Sequence, residues 1–202
     1  MPSHHFSYRR LVVHKFYNTT MTTIFCSDKL KKLLGSTVSE NKTILQKSPL
    51  GDWNGHLFSI DKRKCLVFVN NQTYYSIFFI NILKKDLTDF HKLFTTKLID
   101  QLIYDKIIGE NEASFIKKCC SQIMLTKTNG DRKTIGIMND LIYQFKVHRF
   151  YKYSELHQMN VIKENSLINE SITKPNNYSP KNYSIPKKAM KELIKTCAQH
   201  AA

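Results

Sequence analysis

Residues 51–81 read GDWNGHLFSIDKRKCLVFVNNQTYYSIFFIN and contain the only tryptophan of the chain and its densest run of β-branched and aromatic residues. Their patterning predicts three strands, His56–Ile60, Cys65–Val69 and Thr73–Ile80. A polar turn at residues 61–64 separates the first two strands. Asn70-Asn71, two residues that tolerate positive φ, offers a tight turn between the second and third. This order predicts an antiparallel meander whose middle strand is apolar on both faces and covered by helices.

Length and composition predict one globular domain with extensions. The chain has 202 residues, of which 42% are hydrophobic, enough for one substantial core. The longest apolar run, residues 74–83, is interrupted by Ser76 and Asn81 and is shorter than the roughly 18 residues of a membrane span. No signal-peptide core follows Met1. We therefore expect a cytoplasmic protein without a membrane span.

The cysteines predict neither a disulfide framework nor a metal site. There are five, at positions 26, 65, 119, 120 and 197, and their spacing matches no disulfide or zinc pattern. We expect reduced thiols, no metal and no cofactor. Cys119 and Cys120 are neighbours on a predicted helix and diverge by about 100°, which favours a core role over a redox pair.

The formal net charge of +15 is the strongest compositional signal. The excess is spread along the chain, with no single polybasic arm. A basic surface favours nucleic acid, an anionic membrane surface or an acidic protein as partner. A lysine-rich solvated surface without a specific partner would have the same composition. The charge predicts a class of partner and leaves its identity open.

Helix and strand signals flank the meander on both sides. Thr22–Cys26 predicts a strand, and Asp28–Leu34 a helix that is capped by Ser27 and ended by Gly35. The polar loop 36–49 is a lid, a binding loop or simply a mobile connection. The later elements are a helix capped by Asp86 or Thr88 and stopped by Gly109, a helix 112–120 capped by Asn111, a strand 123–125, and a helix from Arg132 to about Phe150 capped by Asp131.

Beyond Tyr153 the chain is rich in Asn, Ser, Lys and isolated Pro, a composition that does not build a core. A last amphipathic helix, with Pro186 in its first turn, docks on its own domain or on a protein partner through one stripe: Met190, Leu193, Ile194 and Cys197. We predict an α+β fold, with a small antiparallel sheet (three-strand meander plus one or two added strands) packed against three to four helices. The predicted organisation is an N-terminal extension at 1–20, a single α+β domain at 21–153, a polar linker or strap at 154–184 and the C-terminal helix at 185–202.

No segment carries a catalytic signature such as a Gly-rich phosphate loop, an HExxH helix or a nucleophile elbow. The candidates for general acid–base chemistry are Asp52 and His56, and those for anion or phosphate binding are Arg63, Lys64, Arg132 and Lys133. Four further members of this polar cluster are Trp53, Asn70, Thr126 and Asn139. Each also has an ordinary structural interpretation, as a turn residue, a strand residue or, for the tryptophan, a core residue.

Several short motifs occur in the order found in one uncharacterised family. They are Cys26–Leu30 (CSDKL), Leu50–Trp53 (LGDW), Asp61–Cys65 (DKRKC), Phe68–Asn70 (FVN), Thr126–Arg132 (TKTNGDR) and Gly136–Asp140 (GIMND). On these motifs, residues 21–150 resemble a bacterial family catalogued as domain of unknown function 6933. The chain departs from it at Gly130, an insertion, and at His56, where relatives have asparagine, which argues against His56 as a base.

The resemblance implies a single α+β domain that begins near Met21, and it implies no activity. It marks seven positions for testing: Asp52, Trp53, Arg63, Asn70, Thr126, Arg132 and Asn139.

Two functional hypotheses from different classes follow. The first is a basic cytoplasmic binding module for nucleic acid or an acidic protein, whose four candidate cations contact phosphates while Trp53 or Tyr74 stacks on bases. The second is a small enzyme that acts on a phosphorylated or nucleotide-like ligand, with Arg63 and Arg132 as an anion clamp and Asp52 as the base. A deep cleft that holds both arginines would favour the enzyme, and lysines spread over a convex face would favour the binding module.

Overall fold

Six strands and six α-helices lie in the residues that the computed structural model describes, 20–35, 38–39, 47–171 and 185–199. The strands are β1 (Met21–Cys26), β2 (Val38–Ser39), β3 (Trp53–Ile60), β4 (Arg63–Asn70), β5 (Ser76–Phe79) and β6 (Gln122–Lys127). The helices are α1 (Asp28–Leu34), α2 (Phe90–Tyr104), α3 (Ala113–Cys119), α4 (Arg132–Lys152), α5 (Val161–Glu170) and α6 (Pro186–Gln199). Short 3₁₀ turns occupy Lys84–Leu87, Glu110–Glu112 and Leu156–Gln158.

The predicted α+β class and the meander are confirmed. Strands β3, β4 and β5 pair antiparallel, with β4 in the middle and its last six residues buried. The remaining strands join in parallel, so the sheet is mixed, with the order β2-β6-β1-β3-β4-β5. Parallel neighbours need a crossover through other elements, and here α1 and β2 lie in the chain between β1 and β3.

A hydrophobic core lies on each face of the sheet because side chains alternate along each strand. On β3, Trp53 belongs to the first core, which α1, α2, α3 and α6 cover, and Phe58 belongs to the second, which α4 and α5 cover. Trp53 meets Phe94 of α2 edge to face, with ring centroids 5.4 Å apart. On the other face, Phe78 stacks on Phe145 of α4 with centroids 4.2 Å apart.

Helices α1 and α4 begin at hydrogen-bonded capping residues, as the sequence predicts. The Ser27 hydroxyl accepts from the amide of Leu30 at 3.4 Å, and Asp131 accepts from two amides at the start of α4. For α2 the predicted caps, Asp86 and Thr88, are wrong, because a 3₁₀ turn comes first and Asp89 caps the helix. Helix α3 likewise begins after a 3₁₀ turn rather than at an Asn111 cap.

The turn between β4 and β5 differs from the predicted tight Asn70-Asn71 turn. Positive φ occurs instead at Asp61 and Lys62, in the β3–β4 turn, and at Tyr74. Asn70 shapes the longer turn with its side chain, whose Oδ1 accepts from the amides of Gln72 and Thr73. Because that turn extends to Tyr75, the third strand begins at Ser76 and not at Thr73.

Residues 154–184, predicted as a polar linker or strap, contain helix α5, which is part of the second core. Its Asn165 and Asn169 are buried and hydrogen bond to the edge strand at Ser76. The polar composition does not show this burial, because these side chains are hydrogen bonded to the backbone of a strand that is distant in the sequence. Residues 172–184 lie outside the described residues.

Helix α6 packs on its own domain through the predicted stripe, with Met190, Ile194 and Cys197 buried and Leu193 partly buried. Of the predicted N-terminal extension only Thr20 is described, and its hydroxyl donates to the carbonyl of Lys118 at 3.1 Å. Most of loop 36–49 also lies outside the described residues. Within them, no helix combines the length and the hydropathy that a membrane crossing requires.

Candidate functional site

A cavity of about 780 Å³ opens at the end of the sheet where β3 turns into β4. Its walls come from the β3–β4 turn, the segment that follows β5, the last turn of α4 and the 3₁₀ turn after it. The lining residues are Asp61, Lys62, Arg63, Lys64, Asn81, Ile82, Leu83, Lys84, Arg149, Glu155, Leu156 and His157. We call this cavity the basic pocket.

The β3–β4 turn positions three basic side chains at the mouth of the basic pocket. Asp61 and Lys62 form a two-residue turn at φ 48° and 61°, the left-handed conformation that matches the twist of a hairpin. This turn aligns Ile60 with Arg63 and Ser59 with Lys64 across the strands. Lys62, Arg63 and Lys64 are all solvent-exposed.

Arg149 of α4 fixes the turn and is itself fully engaged. Its Nε and Nη2 lie 2.8 and 2.6 Å from Asp61 Oδ2, and its guanidinium also donates to the carbonyls of Tyr153 and Ser154 at 2.6 and 3.0 Å. Five donors in a fixed plane suit this role better than an ammonium would. Arg149 therefore holds the hairpin against α4.

The net charge of the basic pocket is positive. Asp61 pairs with Arg149, and Glu155 lies 3.0 Å from His157. The other cations of the lining form no ion pair with any described residue: Lys62, Arg63, Lys64 and Lys84. Four such cations against one carboxylate, Glu155, create a field that attracts anions.

The other two predicted anion-binding residues, Arg132 and Lys133, lie at the opposite end of α4. A helix rises about 1.5 Å per residue, so Arg132 is about 25 Å from Arg149 and from the basic pocket. The Lys133 ammonium instead lies over the Tyr74 ring, 5.5 Å from its centroid. Arg63 and Arg132 are thus too far apart to close on one phosphate, and the clamp of the enzyme hypothesis does not form.

Asp52 and His56, the predicted acid–base pair, are also separated. Four strand residues span about 13 Å, so the two side chains do not meet. Asp52 lies 3.7 Å from Lys47. Burial, together with the positive charges of Lys29 and Lys146, lowers the pKa of His56, which keeps its imidazole neutral near pH 7.

The four further members of the predicted polar cluster lie in different environments. Trp53 is fully buried and packs in the first core, so it offers no stacking surface, and Asn70 and Thr126 are also buried. Asn139 is exposed on α4. Tyr74, the alternative stacking residue, is buried beneath Lys133. The sheet places Trp53 and Asn70 opposite each other on β3 and β4, but both are buried, so these four residues form no common exposed site.

The exposed aromatic residues of α4 are the feature that the sequence interpretation missed. Tyr143, Phe150 and Tyr151 are 70%, 76% and 78% exposed, the highest values among the large hydrophobic side chains described. The Phe150 and Tyr151 rings lie edge to face, with centroids 5.2 Å apart. Both directly follow Arg149, which lines the basic pocket. Adjacent aromatic residues within a basic helix end were a signal available in the sequence.

A buried carboxylate supports this end of α4. Glu164 of α5 accepts from the Tyr153 hydroxyl at 2.7 Å and from the Lys152 ammonium at 3.0 Å. His148 Nδ1 lies 2.7 Å from Glu164 Oε2 but forms no hydrogen bond with any described residue. Burial raises the pKa of Glu164, but these donors and charges outweigh it and lower the pKa below its usual value.

The thiols are buried and protonated, as a core role requires. Burial raises the pKa of Cys26, Cys119 and Cys120 to about 12 and that of Cys65 to about 11. Among the described residues, no group of three or more His, Cys, Asp or Glu side chains could hold a metal ion.

Comparison with known families identifies the domain. A family model described as a domain of unknown function, DUF6933, matches residues 23–189. The chain belongs to this family. A search of curated proteins found no match. The matched region extends beyond the limit near residue 150 that the motifs indicate and includes α5 and the start of α6. The family domain therefore contains the basic pocket and the Glu164 cluster, which is Glu164 with His148, Lys152 and Tyr153.

The low pKa of Glu164 predicts how the stability of the family domain depends on pH. A carboxylate whose pKa is depressed stabilises the fold at pH values above its ordinary pKa of 4.5. This stabilisation disappears as the pH falls through the folded-state pKa. At pH 7 we expect Glu164→Gln to lower the free energy of unfolding by about 2 kcal/mol, because charged hydrogen bonds are lost in a buried site. Denaturant titrations of both proteins should show this difference shrink from pH 5 to pH 3. A difference that stays constant over that range would contradict the prediction.

Proposed function

We propose that this domain binds single-stranded nucleic acid, with phosphates at the basic pocket and bases on the aromatic residues that end α4. The juxtaposition of unpaired cations and exposed aromatic rings carries the proposal. Lys62, Arg63, Lys64 and Lys84 surround the cavity, and Phe150 and Tyr151 follow its wall residue Arg149. Proteins that bind single strands without base readout combine these two features.

The phosphates of the nucleic acid supply the negative charge that balances the cations of the basic pocket. Asp61 is paired with Arg149, so phosphates meet four cations against one carboxylate, that of Glu155. Neutralising four phosphates of a single strand lowers the affinity about 50-fold between 50 and 200 mM salt. The net charge of +15 adds a long-range attraction that speeds encounter at low salt.

The exposed rings favour nucleic acid over an acidic protein. A carboxylate-rich partner would need the cations alone, and three aromatic side chains left in water would have no role. Bases stack on such rings irrespective of sequence, and each stacked base contributes about 1–3 kcal/mol. Tyr143, which lies two turns before Phe150, extends the same exposed helix surface toward Asn139.

A small phosphorylated ligand is the second candidate, because the basic pocket has a volume of about 780 Å³, within the roughly 300–1,000 Å³ of ligand sites. Asp61, one of the two carboxylates of the lining, is bound by Arg149 and is therefore poorly placed as a base. Binding of a mononucleotide that does not depend on Phe150 and Tyr151 would favour this candidate.

The test is fluorescence anisotropy with labelled 20-nucleotide poly-dT and poly-U at 50 and 200 mM salt. We expect Arg63→Glu/Lys64→Glu to weaken binding at least 10-fold at 50 mM salt and to flatten the salt dependence, because two phosphate contacts become repulsive. Phe150→Ala/Tyr151→Ala should also weaken binding about 10-fold or more, without changing the salt slope.

The matched control is Lys117→Glu/Lys118→Glu, which makes the same charge change on the exposed side of α3, against the other face of the sheet. It should retain most of the affinity. Equal losses from both charge reversals would show that net charge alone attracts the strand. If polyglutamate competed as strongly as poly-dT and the aromatic substitutions had no effect, the partner would be an acidic protein rather than nucleic acid.

A further inference from the structure

One side of helix α4 is an exposed stripe that runs from the first turn of the helix almost to its end. At about 100° per residue, six positions point within about 40° of the direction of the first of them, and all six are solvent-exposed. We call these residues the α4 stripe: Arg132, Gly136, Asn139, Tyr143, Lys146 and Phe150. The stripe ends beside the basic pocket, because Phe150 directly follows the wall residue Arg149.

The α4 stripe is positively charged. Arg132 and Lys146 form no ion pair with any described residue, although the Lys146 ammonium lies 6.0 Å from the centroid of the Phe58 ring. The only acid of α4 is Asp140, which lies at the edge of the stripe, about 80° around the helix from Arg132, and beside Lys133. The charges along this side are therefore three cations against one carboxylate.

The glycine in the α4 stripe is not required by the fold. A Cβ added to Gly136 would meet no atom within 4 Å, and the backbone there has no positive φ. A helix interior disfavours glycine relative to alanine, because glycine loses more conformational freedom on folding. A helix surface without a side chain lets the backbone of a ligand approach closely. Gly136 therefore suits a ligand that lies along the helix.

The side chains of the α4 stripe match the parts of a nucleic-acid strand. Arg132 and Lys146 suit phosphates, and the amide of Asn139 suits the polar edges of bases and sugars. The Tyr143 ring, 70% exposed, is a stacking surface between them. A second copy of this chain would bring the same net positive charge against the stripe, which like-charge repulsion opposes. Phosphates are the complementary partner.

We infer that the single strand bound at the basic pocket continues along the α4 stripe as far as Arg132. The inference rests on the proposed function and adds the path of the strand and the length that is bound. From Phe150 to Arg132 the helix rises about 27 Å, which a strand with one phosphate per 3.4 Å covers with about eight nucleotides. Arg132, too far from Arg63 to share a phosphate with it, contacts the strand at its other end.

The experiment compares 5-nucleotide and 12-nucleotide poly-dT by competition anisotropy with the full chain at 100 mM salt. Charges act over about 10 Å at this salt concentration, so Arg132 does not influence a short strand held at the basic pocket. We expect the 12-nucleotide strand to bind at least 10-fold more tightly than the 5-nucleotide strand. Arg132→Glu should weaken the longer strand at least 5-fold and leave the shorter one within about twofold.

The matched control is Lys117→Glu, an equal charge reversal on the exposed side of α3. It should change the affinity of either strand by no more than about twofold. Gly136→Gln should weaken the longer strand at least 5-fold without lowering the melting temperature, because the fold has room for a side chain there. An effect of Arg132→Glu no larger than that of the control, or an unchanged affinity of Gly136→Gln, would overturn the path along α4.

Photocrosslinking tests the path without relying on affinities. The 12-nucleotide strand carries one 5-iododeoxyuridine, placed at each position in turn, and mass spectrometry identifies the crosslinked residues. We expect Tyr143 to crosslink from positions several nucleotides away from those that reach Phe150 or Tyr151. Crosslinks to the end of α4 without Tyr143 would overturn the inference.

The outcomes separate this inference from the proposed function. If neither strand binds, the proposed function fails and the path along α4 fails with it. If both lengths bind equally and Arg132→Glu affects neither, nucleic-acid binding stands and only the path fails. Sedimentation of the chain without nucleic acid covers the remaining case: a dimer that Tyr143→Glu dissociates would assign the stripe to self-association and overturn the inference.

Discussion

Replacing Asn70 with alanine should lower the free energy of unfolding by about 3–4 kcal/mol, one of the largest effects expected for a single substitution in this chain. The side chain is fully buried. Its Nδ2 donates to the carbonyl of Leu50 at 2.8 Å, and its Oδ1 accepts from two amides and one hydroxyl, those of Gln72 and Thr73. Truncation leaves these buried groups without partners, and each costs about 1–3 kcal/mol unless the turn relaxes.

Urea titration followed by tryptophan fluorescence measures this loss, because Trp53 of β3 lies directly opposite Asn70, the last residue of β4. Asn139→Ala is the control, since Asn139 is exposed on α4 and should change stability by less than about 0.5 kcal/mol. If Asn70→Ala also stayed within 1 kcal/mol of the wild type, the turn would not depend on this side chain. The same residue that the family motifs mark for testing would then have a role outside the fold.

The second large effect is expected at the edge strand. Asn165→Ala/Asn169→Ala should lower the free energy of unfolding by about 3–4 kcal/mol, because the amide, carbonyl and hydroxyl of buried Ser76 all lose their partners. Asn169→Ala alone should cost more than Asn165→Ala, since only Asn169 accepts from the Ser76 amide. An uncovered edge also promotes pairing between molecules, so the double variant should show concentration-dependent association.

Thermal unfolding and light scattering at two protein concentrations test both parts of this prediction. Lys163→Ala, an exposed position on the same helix, is the control and should leave both measurements unchanged. The two single variants share one acceptor, so their effects should not add, and a double-mutant cycle measures the coupling. Strict additivity, or a melting temperature like that of the control, would show that α5 contributes through packing alone.

Helix α4 connects the fold to the proposed function. Its inner side packs against the second face of the sheet through Phe145, and its final turns carry Arg149, Phe150 and Tyr151. The Glu164 cluster and the bond between Arg149 and Asp61 hold that end in place. Such support from side chains that contact no ligand is what keeps a binding surface ordered.

Two of the four predicted basic residues lie at the basic pocket, and the other two lie far from it. Arg63 and Lys64 are neighbours at the start of β4, and both line the basic pocket. Arg132 and Lys133 were grouped with them by charge, but the length of α4 separates the two pairs. Phe150 and Tyr151 are adjacent at a basic helix end, which the sequence shows, but only the structure shows that both rings face water.

The sequence by itself determined the meander, the α+β class, the caps at Ser27 and Asp131 and the buried stripe of α6. These features depend on hydrogen bonds and periodicities within a few residues, which composition and spacing record directly. The tertiary structure decided the parallel pairing of β1 with β3 and β6, the burial of Asn165 and Asn169 and the separation of the basic residues. Each of these depends on a partner dozens of residues away, and a polar side chain is buried wherever a distant backbone satisfies it.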